Sequence, residues 1–341
     1  MRNFIVISAL TALLTSSVSA QTVIPAADTT SRSTTPLGIA LESFPYPYPV
    51  HFLPLEIKGQ PLRMAYMDVP PQGAGNGQTA VLMHGKNFDS SYWKGPIQVL
   101  TSAGYRVIVP DQIGFVNKSS KPDINYTFDL LAANTAKLLD ALKVEKVVIL
   151  GHSTCGMLAI RFARTYPQRV TYLILEDPIG LEDYRLKIPP QTTQRLFEDE
   201  MNMTTEEYSA YVHHYFVTWK PEYQIFVDLR TRMALSGEFP RWAKTSALIF
   251  QMIYQQPVRY EYSLLKPPTL LIVGQQDRTV ILPQYVSPDV LKTMGHFPQL
   301  AEAAVREIPH GKLVVVPNAG HVPHLEQPNT FNQAVLNFLK K

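Results

Sequence analysis

Apolar residues follow two rhythms along this chain. HFLPLEI (51–57) and LRMAYMDV (62–69) alternate on either side of KGQP, which predicts a β-hairpin turning at Gly59. After the loop PPQGAGNGQ come short, nearly continuous apolar runs: TAVLMH, YRVIVP, VVIL and TYLILE. Segments of helical period separate them, over about 91–103, about 128–142 and from Ser153 onward. Continuous apolar strands alternating with amphipathic helices predict a mostly parallel sheet covered on both faces. Over 181–266 the alternation stops. The period there stays helical and large side chains crowd in, among them Tyr208, Tyr211, Tyr215, Phe216, Trp219, Tyr223, Phe226, Trp242, Phe250 and Tyr254. Strand and helix then resume with PTLLIVG, a helix near 300–307, KLVVVP and a last helix over 328–339. A helical interruption late in such a sheet predicts a cap inserted over the strand ends.

The N-terminus breaks the pattern. MRN gives a positive start, FIVISALTALL an apolar stretch, and VSA a small-x-small ending at Ala20. That form predicts a signal peptide over 1–20, cleaved near Ala20, and therefore a secreted, extracellular or periplasmic protein. The apolar run is too short for a bilayer-spanning helix, so no stable membrane span is expected. Residues 21–50 read as an N-terminal linker or extension, opening with the polar QTVIPAADTTSRSTTP.

Composition narrows the function classes. Of 341 residues, 45 % are hydrophobic and 17 % charged, as in an ordinary folded protein. The net charge of +3 comes with no Lys/Arg run beyond the C-terminal KK, which leaves no electrostatic footprint for nucleic acid. Cys155 is the sole cysteine, so no intramolecular disulfide can form. N-x-[ST] sequons at Asn117, Asn125 and Asn202 are candidate glycosylation sites.

In an open α/β sheet, ligands gather at the carboxyl ends of the strands. The residues found there are HGKNF (84–88), DQIGF (111–115), His152 and Ser153, Asp277 after LLIVG, and His321 after KLVVVPNAG. Serine, then acid, then histidine, each just past its own strand, suits nucleophilic catalysis. A serine hydroxyl needs a base to take its proton, and histidine titrates near operating pH. A carboxylate on the far ring nitrogen fixes the tautomer. Ser153 lies in GHSTCG, where Gly151 lets the strand end bend and Gly156 lets the helix approach the sheet. Cys155 occupies the place of a second elbow glycine, and a slightly displaced helix is expected there. Asp177 competes for the role of acid, since it too ends a strand. Asp277 is favoured because GQQD is a short turn off a buried strand, whereas Pro178 is expected to hold Asp177 extended. His152 and His324 read as structural, His213 and His214 as solvated or packed within the cap, and Glu326 as an anchor for the start of the last helix. No ligand cluster with metal spacing is evident.

HGKNF, DQIGF, GHSTCG, DPIGLEDY, GQQDRTV and GHVPHLEQP, spread from His84 to Pro328, resemble the motifs of α/β-hydrolases with a helical cap. The chain is similar to the branch of cap-bearing esterases, C–C hydrolases, epoxide hydrolases and haloalkane dehalogenases. The resemblance implies an α/β-hydrolase fold, a mostly parallel eight-stranded sheet with helices on both faces. Its catalytic domain would span 51–180 and 267–341, with the cap over 181–266. It implies Ser153 as nucleophile, His321 as base, Asp277 as acid with Asp177 as the alternative, and an oxyanion hole of the Thr154 and Lys86 backbone amides. Lys86-Asn87 replace a residue followed by proline in many relatives, and a backbone donor leaves the lysine side chain without a required role. Epoxide- and halide-processing relatives carry aspartate at the elbow; serine implies acyl transfer. The expected function is hydrolysis of a carboxylic ester with a hydrophobic group, without cofactor or metal, with nucleic acid excluded as partner and self-association left open. C–C, lactone or thioester hydrolysis, cofactor-free perhydrolysis, and a non-catalytic ligand-binding role are the alternatives.

Overall fold

The computed structural model describes residues 35–340. The expected signal peptide and residues 21–34 of the expected 21–50 segment lie outside them. Eight strands form one sheet: β1 (Val50–Ile57), β2 (Gln60–Val69), β3 (Thr79–Met83), β4 (Arg106–Pro110), β5 (Val147–His152), β6 (Val170–Glu176), β7 (Thr269–Gly274) and β8 (Gly311–Val316). Their order is β1-β2-β4-β3-β5-β6-β7-β8. β1 and β2 pair antiparallel in the register Ile57↔Gln60, and β2 runs antiparallel to β4; the remaining pairs are parallel. The two-residue turn holds Lys58 and Gly59 at positive φ (51° and 73°), a backbone whose twist matches that of the strands it joins.

Helices α1 (Lys94–Ser102), α2 (Phe128–Ala141) and α3 (Thr154–Thr165) connect the first parallel strands. Between β6 and β7 lie α4 (Thr193–Asn202), α5 (Thr205–His213), α6 (Gln224–Ala234) and α7 (Phe239–Gln255). After β7 come α8 (Pro288–Leu291), α9 (Phe297–Glu307), α10 (Pro323–Glu326) and α11 (Pro328–Leu339). Local chemistry sets several starts: the Thr127 side chain caps α2 through Leu130 N, and Thr204 with Glu207 forms a capping box on α5. Among the described residues no helix is long and apolar enough to cross a membrane.

The strand pattern becomes two cores. Val81, Met83, Ile108 and Ile149 face one side of the sheet with α2, α3 and α9; Ala80, Leu82, Val107, Val148 and Leu150 face the other with α1 and α11. This alternation on strands buried throughout is why they read as unbroken apolar runs. Residues 37–46 do more than link. Leu37, Ile39 and Leu41 are buried against Leu229, Met233, Phe239 and Trp242 of α6 and α7. Lys118 Nζ donates to Leu41 O, and Tyr46 OH to Asp111 Oδ2 (2.8 Å). Of the sequon asparagines, Asn125 and Asn202 are exposed. Asn117 is fully buried with Nδ2 donating to Gln112 O (2.6 Å), which rules it out as an acceptor in the folded chain.

Candidate active site

β5 runs into α3 through a single residue, Ser153, at φ 54° and ψ −120°. A non-glycine residue held there is strained, and the surroundings fix it. Ser153 N donates to Glu176 O (3.0 Å), while Gly156 N and Ile179 N donate to Ser153 O (2.8 and 3.2 Å). The helix sits so close to the strand that a Cβ on Gly151 would lie 2.3 Å from the Cys155 carbonyl oxygen; one on Gly156 would lie 2.5 Å from Pro178 Cβ. Thus Gly151 admits the helix, and Gly156 admits the strand-end loop of β6. The Cys155 side chain is fully buried in the core, and burial pushes its thiol pKa well up.

Asp277 follows β7 in a tight turn, its N–H donating to Gly274 O (3.2 Å), and its Oδ1 accepts from Thr279 N (2.8 Å). His321 follows β8. Its Nδ1 lies 2.7 Å from Asp277 Oδ2 and its Nε2 2.9 Å from Ser153 Oγ. All three are nearly inaccessible, with Ser153 9 % exposed. The structure therefore brings together the three residues expected from sequence, in an order that carries a proton from Oγ to an imidazole held by a carboxylate.

Asp177 stands behind the pair. Its backbone is not extended as expected before proline: φ is 36°, fixed by Asp177 N donating to Ile272 O (2.9 Å) and by its carboxylate accepting from Gly274 N (3.0 Å). Asp177, Asp277 and His321 offer atoms within 4.8 Å of one another. Burial first, then the negative charge of Asp277 and a hydrogen bond to it, push the Asp177 carboxyl well above the carboxylate range. Burial would raise Asp277 as well, but His321 and hydrogen bonds from Asp177 and Thr279 outweigh it and hold Asp277 low. Asp177 is thus a neutral acid donating to an ionised Asp277. These three residues are also the one group with metal-like spacing among the described residues, yet both ring nitrogens of His321 are committed, to Asp277 and to Ser153.

A second relay, unread in the sequence, supports the first. Gly85 N donates to Tyr92 OH (3.0 Å), which contacts His152 Nδ1 (2.9 Å), and His152 Nε2 meets His321 O (2.7 Å). A carbonyl accepts only, so Nε2 carries the proton and Nδ1 accepts from Tyr92. Burial, reinforced by His321 and His324, pushes His152 well below its usual pKa and keeps it neutral. The loop of Lys86 and the loop of His321 are thereby tied together. Tyr92 carried no motif signal. His324 is structural: its N–H donates to Glu176 Oε1 (2.8 Å) and its Nδ1 lies 2.9 Å from the same carboxylate. His213 stacks on Trp219 at 3.6 Å.

Thr154 opens α3, so its amide is among those left without an intrahelical acceptor. Thr154, Lys86 and Ser153 line one narrow cavity, closed above by Tyr211 and Tyr215 of the cap segment, Phe250 and Ile253. Glu326, expected to anchor the last helix, instead bridges cap and base loop. Its Oε1 accepts from Val217 N and its Oε2 from Gly320 N (2.7 Å each). His321 N also donates to the cap carbonyl of Tyr215 (2.7 Å). An adjoining cavity, which shares Lys86, Asn87, Tyr211 and Phe250 with the one over Ser153, is less apolar than the aromatic content suggests, since Asp199 and Glu200 line it.

A strained serine off the central strand, relayed to histidine and acid at the same sheet edge, defines an α/β-hydrolase. The chain belongs to that family, whose model, described as alpha/beta hydrolase fold, matches residues 79–328. It is similar to a probable hydrolytic enzyme from Pseudomonas aeruginosa PAO1, with 41 % identity and a TM-score of 0.88 over 91 % of this chain and 100 % of that one. A putative non-heme chloroperoxidase from Synechocystis sp. is 28 % identical over 81 % of this chain and 96 % of its own. A 2-hydroxy-6-oxo-6-phenylhexa-2,4-dienoate hydrolase from Burkholderia cepacia is 28 % identical over 78 % and 89 %.

Proposed function

We propose that this hydrolase cleaves a carboxylic ester through an acyl-serine intermediate. The observation that carries the reading is the unbroken contact series Asp277–His321–Ser153 at 2.7 and 2.9 Å. As Ser153 Oγ attacks the ester carbonyl, its proton passes to His321 Nε2, and Asp277 stabilises the imidazolium. The tetrahedral oxyanion takes hydrogen bonds from the Thr154 and Lys86 amides, the first at a helix N-terminus where negative charge is favoured. His321 then protonates the leaving alkoxide, and a water deprotonated by the same imidazole releases the acid. The enclosed cavity with Phe250, Ile253 and Ile281 on its wall favours small to medium esters with a hydrophobic group over lipid emulsions. C–C hydrolysis is the second reading, favoured by the similarity to the Burkholderia cepacia dienoate hydrolase.

The test is covalent labelling with a fluorophosphonate, mapped by peptide mass spectrometry, alongside turnover of p-nitrophenyl esters, lactones and a vinylogous β-diketone. Ser153 should carry the label, and Ser153→Ala should be folded with activity near background. A variant that keeps most of its turnover would remove the acyl-serine from the mechanism. Export after cleavage near Ala20 is proposed from the N-terminal pattern, and Gln21 as the first residue of the purified exported protein is the expected readout.

A further inference from the structure

Ester hydrolysis uses only the backbone of Lys86. Its side chain crosses into the cap, where Nζ donates to Ser246 Oγ (2.7 Å) and lies 4.0 Å over the Phe250 ring. Ser246 Oγ in turn donates to Glu200 Oε2 (2.8 Å), and Glu200 pairs with Arg230 (2.8 Å). Lys86, Glu200 and Arg230 are all buried. Two cations therefore share one carboxylate, and the cluster holds one positive charge in excess. The neighbouring acid on this wall, Asp199, is occupied by Arg195 (3.2 Å) and by the Tyr285 hydroxyl. An unbalanced charge out of water is costly unless a counter-charge reaches it.

The cavities that Lys86 lines give that counter-charge a place. An ammonium has three donors, and one of those on Lys86 is spent on Ser246. Lys86, Asn87, Tyr211 and Phe250 line both the space over Ser153 and a second cavity toward Leu196 and Glu200, so the two adjoin at Lys86. A more open pocket, which shares Tyr211, Tyr215 and Thr279 with the inner cavity, is lined also by His214, Arg278, Lys292 and His296. No Asp or Glu is among its described lining residues, although Lys292 pairs with Asp289 at 3.0 Å. A lining that carries cations and no acid favours ligands of negative charge.

We propose that the Lys86 ammonium anchors a carboxylate carried by the substrate, so that the preferred ligand is an acyl compound with an apolar body and a free carboxylate a few bonds from the scissile carbonyl. One residue then fixes both ends of it. The Lys86 amide meets the carbonyl oxygen, and the ammonium, about 6 Å away along a four-carbon stem, meets the anion. The position of the carbonyl rests on the acyl-serine reading; the anion site does not.

Binding to Ser153→Ala protein separates the two. Titration calorimetry with monomethyl glutarate and neutral dimethyl glutarate should show the monoanion bound at least about tenfold more tightly. Lys86→Met in that background should bring the ratio to about one, and Lys86→Arg should keep it. Glu200→Gln, which raises the excess charge, should widen it and serves where Lys86→Met does not fold. Equal affinities in Ser153→Ala, or a ratio unmoved by Lys86→Met or, in its place, by Glu200→Gln, would overturn the proposal. With wild-type protein, mono-p-nitrophenyl glutarate should exceed p-nitrophenyl pentanoate about tenfold in kcat/KM, and no preference for the anion would also count against it. If the monoanion binds as expected but Ser153 takes no fluorophosphonate, the anion site stands and the ester-hydrolase reading falls.

Discussion

Asn at position 177 probes the acid side of the site without changing its charge. Asp177, Asp277 and His321 lie within 4.8 Å, sealed from solvent. Two carboxylates that close do not both ionise. The ionised one is Asp277, which faces the imidazole and accepts from Thr279 N, while Asp177 keeps the proton. Asp177→Asn therefore exchanges one neutral donor for another of the same shape, and kcat/KM should stay within about tenfold, under roughly 1.4 kcal/mol. Asp277→Asn removes the charge that orients His321. In the serine-protease template the equivalent loss is about 10⁴ in kcat, or roughly 5.5 kcal/mol, and a loss of about 10³–10⁴ is expected here. Stability gives an independent readout. The Asp177 carboxyl is raised in the folded chain, so its contribution is full below the unfolded pKa near 4 and is lost as pH rises toward the folded one. Asp177→Asn escapes that loss, so its Tm should gain on wild type between about pH 4 and pH 8. Steady-state kinetics and thermal melts across that range check both points. A 10³-fold loss in Asp177→Asn with Asp277→Asn nearly intact would place the triad acid at 177, and a flat Tm difference would show that Asp177 is ionised.

Other expectations follow from contacts around the elbow. Cys155→Gly should retain activity, and small alkylating agents should react slowly with the folded wild type, because the thiol is buried with its pKa raised; rapid stoichiometric inactivation absent from the variant would contradict this. Gly151→Ala should cost about 1–3 kcal/mol and most of the activity, since its Cβ would meet backbone at 2.3 Å and push away the helix carrying Ser153; Tm and kcat on the purified variant measure both. Glu326→Ala leaves Val217 N and Gly320 N without their acceptor, at about 1–3 kcal/mol for each group that stays buried; a lower Tm together with a lower kcat/KM is expected, and Glu326→Gln, which can accept but also donates, should not restore it. Burial, with Arg230 adding to it and Glu200 opposing, lowers the Lys86 ammonium to about 8. With Glu200, Arg230, Ser246 and Phe250 facing it, any preference for carboxylate substrates should fade as pH rises through that value, read as the kcat/KM ratio of anionic to neutral ester.

The sheet was legible because its strands are buried on both faces, a condition that leaves little but apolar residues in VVIL or LLIVG. The elbow was legible because a strand-to-helix turn this tight excludes side chains at Gly151 and Gly156, although which surface each admits came only from the packing. Asp277 was chosen over Asp177 on the length of its turn, and its carboxylate is the one facing the imidazole. The accompanying argument about Asp177 failed, since local steric preference before proline yields to two hydrogen bonds, one donated by its N–H and one accepted by its carboxylate. Nothing marked Tyr92, and Glu326 reads in sequence only as an anchor for the last helix, because their partners lie 60 and 109 positions away.

The cap shows most clearly where sequence reading ran out. Its aromatic density predicted an apolar lid; Tyr208, Phe216 and Phe226 pack into a cluster that also holds Phe88 and Tyr92, while Trp242 packs with Leu37 and Leu41 in another. What that reading could not contain is a pairing across the cavity. Glu200 lies in α4, Arg230 in α6 and Ser246 in α7, each surrounded in sequence by residues of ordinary helical character. They acquire chemical meaning only when folding sets them against Lys86, whose side chain had been given no work because its amide already had some. A backbone donor requires nothing of the side chain attached to it, so the side chain is free to serve another purpose. When that side chain is a lysine held in a buried network with a single carboxylate for two cations, its most economical purpose is recognition of an anion.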